Sequence, residues 1–287
     1  MTDPIPITAV VLARNEADNM GRCLQSLQRC QEIVVVDDHS IDDTALIAKQ
    51  HNARVVTHRF QSFASQRNWA LEQAALTTDW ALMLDADEEV TDAFLDELVR
   101  QLSQASGNTL GFRTCRKTMF CGKWLRHSDG FPVWIMRVVR VRQAWFEDAG
   151  HGEVPVPQAA GALGTIREPF IHHPFSRGLA DWLDRHNRYS SLEAGLESRG
   201  EARISFTQCL SRDRALRRQA LRHLARRLPC RPLLRFLYQF VCKGGFLEGR
   251  QGWMFSRLMA MYESQIVLKK WELELLRRQS HPGRSPH

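Results

Sequence analysis

Several features common in other protein classes are missing from this chain. It holds no run of about 18 apolar residues, the length a spanning helix needs, so no bilayer-crossing segment is expected. Its N-terminus carries Asp3, Pro4 and Pro6 and no basic stretch, so a cleaved signal is not expected either. The seven cysteines (23, 30, 115, 121, 209, 230 and 242) are odd in number, scattered and without a CxxC pair. That pattern argues against a disulfide framework and a zinc site and fits a reducing cytosol. Cys23 and Cys30, seven apart, suit one helical face as apolar filler. The chain has no GxSxG, no HExxH and no P-loop, which leaves hydrolase, zincin and ATPase chemistry unsupported. It also has no internal repeat and no low-complexity stretch, and only residues 279–287 are expected to be disordered.

What is present suits a globular protein with a sizeable core: 287 residues, 44% hydrophobic and 25% charged. The formal net charge of +7 is unevenly spread. From Glu201 onward there are 18 Lys and Arg against 6 Asp and Glu; the first 200 residues carry 21 against 26. An acidic first part joined to a basic one implies that the basic part meets an anionic surface, for which nucleic acid and anionic lipid both qualify.

The first hundred residues alternate buried-strand and helix signals. Apolar runs at 7–14, 33–36, 54–57 and 80–84 read as strands, with helices over 42–50 (Ser40 as N-cap), 65–75 and 91–102 among them. That alternation predicts βαβ units and a mostly parallel sheet sandwiched by helices, an α/β architecture that binds ligands at the carboxyl ends of its strands. Polar residues cluster at those ends: Asn15 and Glu16, Asp37 and Asp38, Asp85 and Asp87. Residues 111–115 and 133–141 read as antiparallel strands, and from about Ala180 to Arg278 the pattern is helical.

Asp85-Ala86-Asp87 directly follows an apolar strand. Two carboxylates one residue apart at a sheet edge suit Mg2+ or Mn2+, which takes oxygen ligands from one or two carboxylates and from substrate phosphates. Such a pair also occurs in solvated turns. Asp37 and Asp38 strengthen the functional reading, because a buried strand ending in two carboxylates is unfavourable unless they meet donors or a cation. A nucleobase imide and a ribose hydroxyl are suitable donors. Asp42 and Asp43 read as residues that favour a helix start.

AVVLARNE (9–16), EIVVVDDHSIDDT (32–44), SQRNWAL (65–71) and MLDADEEV (83–90), in this order and spacing, resemble family 2 of the inverting glycosyltransferases, which have the GT-A fold. The stretches 122–140, 172–194 and 231–252 resemble a subgroup that includes lipopolysaccharide-core β-glucosyltransferases and related exopolysaccharide enzymes. The resemblance implies that Ala13, Asn15 and Glu16 line a nucleotide pocket and that Asp38 reads the base, with Asp37 beside it. It implies that Arg67 and Asn68 lie near the nucleotide, that Asp85 contacts the ribose or metal, and that Asp87 is the direct metal ligand. One departure stands out: many relatives carry an adjacent His-Glu pair where this chain has Gly150-His151-Gly152-Glu153.

An inverting transfer needs a carboxylate to take the proton of the attacking hydroxyl, and the leaving diphosphate needs its charge neutralised. Glu147, Asp148 and Glu153 are the carboxylates beyond the metal site. Glu153 is favoured as the base because the glycines around His151 allow close backbone approach, with Asp148 second. Arg137 and Arg140 alternate with apolar neighbours and suit either diphosphate binding or a solvated face. His172 and His173 suit either ligand positioning or a structural role.

Residues 213–228 set Leu216, Leu221, Leu224 and Leu228 on one helical stripe, interrupted by Arg217, with Arg218, Arg222 and Arg226 opposite. With the aromatic and aliphatic residues of 233–241 and 253–268, this predicts a peripheral helix region on the inner face of the cytoplasmic membrane. The expected organisation is a catalytic domain over 1–200, divided into a nucleotide-sugar half (1–110) and an acceptor half (111–200). A basic helical membrane-associating region follows over 201–278. The expected substrates are a nucleoside diphosphate sugar, with UDP-glucose foremost, and a lipid-linked glycan. A metal-dependent nucleotidyltransferase is the alternative enzyme, but Asn15-Glu16-Ala17-Asp18 is acidic where a triphosphate needs a basic, Gly-rich loop. A nucleic-acid-binding role for the basic region lacks any recognised module, so no nucleic-acid partner is expected.

Overall fold

A computed structural model describes residues 3–149, 152–157, 161–198 and 230–280, together with Asp213, Arg217, Ala220, Leu224 and Leu228. The chain divides into two compact units. The first comprises Met1–Arg126 and Gly130–Gly178, the second His127–Asp129 and Leu179–His287.

The first unit alternates strand and helix through β1 (Ile5–Ala13), α1 (Ala17–Ser26), β2 (Cys30–Asp37), α2 (Thr44–Gln50), β3 (Arg54–Thr57), α3 (Phe63–Gln73) and β4 (Trp80–Asp85). After the short β5 (Glu88–Glu89) and α4 (Asp92–Ser103) come β6 (Thr109–Phe120), β7 (Lys123–Trp124) and β8 (Val133–Arg140). β9 (Ala144–Ala149) and β10 (Gly152–Pro157) form a separate antiparallel pair, and β11 (Ala162–Thr165) and β12 (Phe170–His172) complete the unit. The main sheet runs β3-β2-β1-β4-β8-β6-β12-β5. β3, β2, β1 and β4 are mutually parallel, and β8 enters antiparallel between β4 and β6. This is the mostly parallel, helix-covered sheet expected from the sequence.

The continuous apolar character of β1, β2 and β4 has a direct structural cause, since both sheet faces are covered. Ala9, Val11, Val35, Leu82 and Leu84 pack with Met20 and Leu24 of α1 and Phe94 and Leu98 of α4. Their neighbours Val10, Leu12, Val34, Val36 and Met83 pack on the other face with Ala64, Ala70 and Leu71 of α3 and Phe146 of β9. The register aligns Ala13 with Asp37 and Leu12 with Asp85, so these three strands end along one carboxyl edge.

Two helix starts differ from the sequence expectation. α3 begins at Phe63, because the Ser62 hydroxyl caps it by accepting from the Ser65 amide at 3.1 Å. α2 begins only at Thr44 and Ser40 does not cap it; the Ser40 hydroxyl donates to the Asp37 carboxylate instead.

The second unit is helical: α5 (Gly178–Ser198), α6 (Arg231–Leu237) continued by a π-turn (Tyr238–Cys242), a 3-10 turn (Gly245–Glu248), and α7 (Arg250–Ser280). Arg231 bridges Glu197 of α5 and Glu263 of α7, and Lys269 of α7 donates to the Asn187 carbonyl and to Ser190 and Ser191 of α5. Glu248 accepts from the backbone amides of His127 and Ser128, so residues 127–129 belong to this unit. A Cβ on Gly252 would lie 1.9 Å from the Gly245 carbonyl oxygen, so α7 can leave the 3-10 turn only through a glycine. Arg218, Arg222 and Arg226, with most of the 213–228 stripe, lie outside the described residues. Among the described residues, no helix is long and apolar enough to cross a membrane.

Candidate active site

The β1–α1 and β2–α2 loops interlock at the carboxyl edge. Asn15 adopts φ 52°, a left-handed conformation that Asn tolerates better than most residues. Its amide donates to the Ser40 hydroxyl and its side-chain oxygen accepts from the Ile41 amide, both at 2.9 Å. The buried Ala13 offers its carbonyl to the Asp38 amide at 2.9 Å. The Glu16 amide donates to Thr44, and its carboxylate receives Asn19 at 2.6 Å and Arg177 at 3.2 Å. Arg177 also reaches the Asn15 carbonyl at 2.9 Å, a link that sequence reasoning did not anticipate.

Asp37 and Asp38 are both buried and both find donors within the protein. Asp37 holds the Ser40 amide and hydroxyl. Asp38 receives the Phe60 amide and the Arg14 guanidinium, each at 2.9 Å. The Arg14 side chain is 69% exposed, so that pairing is screened and readily exchanged.

Beneath the Asp85-Ala86-Asp87 turn lies a compact ionic cluster. Arg67, 1% exposed, donates to Asp85 Oδ1 at 2.8 Å, and Arg137 donates to Asp85 Oδ2 at 3.1 Å. Arg137 also pairs with the buried Glu88, whose other oxygen accepts the Asp85 amide at 3.0 Å. Burial alone would push the Asp85 carboxyl up, but Arg67 and Arg137 outweigh it and hold Asp85 below the usual carboxylate range. Glu88 goes the other way: burial raises it, and Arg137 only partly opposes burial and the neighbouring Asp85 charge. A buried charge cluster of this kind persists only when its members pair, and this one fixes the turn rigidly.

Asp87 faces β12. The His172 Nε2 lies 3.6 Å from Asp87 Oδ2, the His173 amide donates to the Asp87 carbonyl at 2.8 Å, and the His173 ring meets Glu89 at 2.9 Å. Burial pulls the His172 pKa down, but the charge and hydrogen bond of Asp87, with Glu88 adding to them, hold it above the ordinary value. His172 Nδ1 is buried with no hydrogen-bond partner among the described residues. Asp87 and His172 therefore form a carboxylate–imidazole pair at this turn; the carboxylate suits Mg2+ or Mn2+ when phosphates complete the shell, and the imidazole joins it as a ligand only in its neutral form. Among the described residues, no group of three or more such side chains could hold a metal alone.

Asn68 is committed elsewhere. Its amide donates to the Phe146 carbonyl and its oxygen accepts the Phe146 amide, both at 2.9 Å, which fastens α3 to β9. Asn68→Ala would leave two buried backbone groups unpaired and should destabilise the fold by about 1–3 kcal/mol, lowering the denaturant midpoint. An unchanged midpoint with weakened nucleotide binding would show instead that Asn68 serves the ligand. Glu147 and Asp148 on β9 are exposed, and Glu153 on β10 pairs in register with Asp148. The Glu153 side chain lies outside the described residues.

The site thus brings Ala13, Asn15, Glu16, Asp37, Asp38, Arg67, Asp85, Asp87 and Arg137 to or beneath one sheet edge. Glu88, Arg177 and His172 join them as residues that motif reading alone left unassigned or ambiguous.

The chain is similar to several known proteins. LpsC of Rhizobium meliloti (strain 1021), a lipopolysaccharide core biosynthesis glycosyltransferase, is 28% identical over 214 residues, covering 72% of this chain and 77% of LpsC. An uncharacterized glycosyltransferase of Rickettsia felis is 34% identical over 93 residues, and the chain spans only 32% of that relative's length. Glucosyl-3-phosphoglycerate synthase from Mycobacterium tuberculosis, in complex with Mn2+, UDP and glucosyl-3-phosphoglycerate, aligns at TM-score 0.44 and 18% identity over 67% of this chain and 79% of its own. Likeness at that level says nothing about donor or acceptor. The Glycosyl transferase family 2 profile matches residues 8–151, just over half of the chain and the span that carries all four motifs of the first hundred residues, and the chain belongs to that family.

Proposed function

We propose that this glycosyltransferase moves a hexose, with UDP-glucose as donor, onto a lipid-linked glycan of lipopolysaccharide core or exopolysaccharide, inverting the anomeric centre. The observation that carries the reading is the division of labour at the strand end. Asp85 is spoken for by two guanidiniums, while Asp87 stands beside His172 at the same edge as Asp37 and Asp38. The similarity to LpsC supports a lipopolysaccharide-type acceptor.

In this reading Ala13, Asn15 and Glu16 wall the nucleotide, Asp38 accepts from the base, and Arg14 yields its place as the nucleotide enters. Asp87 and His172 would hold Mg2+ or Mn2+, which when bound neutralises charge on the diphosphate. Arg67 and Arg137 keep Asp85 ionised and immobile, so the turn is preorganised at little cost on binding. The acceptor oxygen bonds to the anomeric carbon as the bond to the diphosphate oxygen breaks, and Glu153 takes the hydroxyl proton. Asp148, its partner in register, is the second candidate for base, and Glu147 the third.

The test is proton NMR of the product formed from UDP-glucose and a lipopolysaccharide-core acceptor with Mn2+. An inverting transfer from the α-linked donor gives a β-linked glucosyl product. An α-linked product would overturn the assignment of a direct displacement with a carboxylate base.

A further inference from the structure

The second unit presents an apolar face that its own packing does not explain. Along α6 and the following π-turn, Leu233, Leu234, Leu237, Tyr238 and Val241 fall on one helical side and are all exposed, Leu233 at 57%. Phe246 and Leu247 in the adjoining 3-10 turn are also exposed, at 53% and 62%. The opposite side of the same helix is firmly seated. Gln239 is buried and donates to the Ser128 carbonyl at 3.2 Å, and Phe236 and Phe240 pack edge-on against Trp253 at 4.9 and 5.2 Å. The exposed side chains are therefore held outward by a fixed helix, and contiguous exposed apolar surface of this kind marks an interaction site.

The charges around it name the partner. Residues 230–280 hold nine Arg and Lys against four Glu. Two of those acids are engaged, Glu248 with the 127–128 backbone and Glu263 with Arg231, and two of the bases, Arg231 and Lys270, pair with Glu197 of α5. Arg250 opens α7 beside the 3-10 turn, exposed, and Arg257 follows two turns on, also exposed. Lys243 lies over the Tyr238 ring, its ammonium 5.4 Å from the centroid. An apolar helical face edged by cations and an amphipathic tyrosine matches the boundary between acyl chains and anionic headgroups, where basic side chains keep their charge in the headgroup layer.

We propose that the face formed by Leu233, Leu234, Leu237, Tyr238 and Val241, together with Phe246 and Leu247, docks into an anionic lipid bilayer as a shallow, non-spanning anchor. This deepens the functional reading above by naming the surface that would bring the enzyme to a lipid-linked acceptor. It differs from the basic stripe of 213–228 in that its contribution is apolar. Attraction between basic residues and lipid fades within a Debye length as salt rises, whereas buried apolar side chains do not depend on salt.

The experiment is flotation of the full chain with vesicles of phosphatidylglycerol and phosphatidylcholine, and of phosphatidylcholine alone, at low and at 1 M salt. The wild type should float with the anionic vesicles and keep part of that binding at high salt. Leu234→Glu with Leu237→Glu changes only exposed positions, and it should cut the salt-resistant binding by roughly tenfold or more. Replacing Arg218, Arg222 and Arg226 with Gln should remove only the salt-sensitive part. Circular dichroism and UDP-glucose binding in solution should be unchanged in the Leu double variant, so a failure of the donor assignment is read separately. Equal high-salt flotation of the double variant and the wild type overturns the proposal. So does a wild type that ignores both vesicles, including the case where it sediments as a dimer that the Leu substitutions dissociate.

Discussion

Asp87→Ala should lower transfer by about a thousandfold and abolish metal-dependent donor binding, while the thermal midpoint stays close to the wild type. The size follows from the several kcal/mol that a cation contributes when charge develops on a leaving diphosphate. The fold should survive because Asp87 lies at the rim of the ionic cluster, with 12% of its side chain exposed, whereas Asp85 is the residue locked between Arg67 and Arg137. Asp85→Ala is the informative contrast. It removes the carboxylate shared by the buried Arg67 and Arg137 guanidiniums, so it should lose stability as well as activity. A folded Asp87→Ala variant with unchanged turnover would remove Asp87 from the metal role.

Glu153→Gln should leave donor affinity intact and reduce transfer by about 10²–10⁴-fold, the usual worth of a positioned general base. The substitution keeps the side chain's size and shape while replacing the carboxylate that takes the proton with a neutral amide. Measuring donor binding and single-turnover transfer on the same preparation separates the two effects. Asp148 faces Glu153 across the β9–β10 pair, so Asp148→Asn is the matched comparison. If Asp148→Asn shows the loss and Glu153→Gln turns over normally, the base is Asp148.

Much of the fold was legible in the amino-acid order because the first unit obeys local rules. Apolar runs ending in Asn15, Asp37 and Asp85 become parallel strands that stop along one edge, and the register of Leu12 with Asp85 and Ala13 with Asp37 brings their ends level. What stayed hidden depends on contacts between distant segments. Arg67 reads as a residue near the nucleotide, yet its place beneath Asp85, 18 positions away, depends on how α3 packs on the sheet. Arg137 fits a solvated face equally well by pattern; it is buried because β8 enters antiparallel between β4 and β6. Glu88 stands inside the MLDADEEV motif without a distinguishing neighbour, and its role emerges only when β5 folds back on β12. Ser40 has the composition of a helix cap, but the Asp37 carboxylate competes for its hydroxyl and wins. His172 ends a three-residue strand too short to signal which way its ring turns.

The most direct test of the central claim is a calorimetric titration of the full chain with UDP-glucose, first with Mn2+ and then with EDTA, alongside Asp87→Ala. The account predicts saturable binding that requires the metal, is lost with EDTA and is absent in the variant. Metal-independent binding of equal strength in both proteins, or no binding of UDP-glucose or any other nucleoside diphosphate sugar with Mn2+ present, would contradict it.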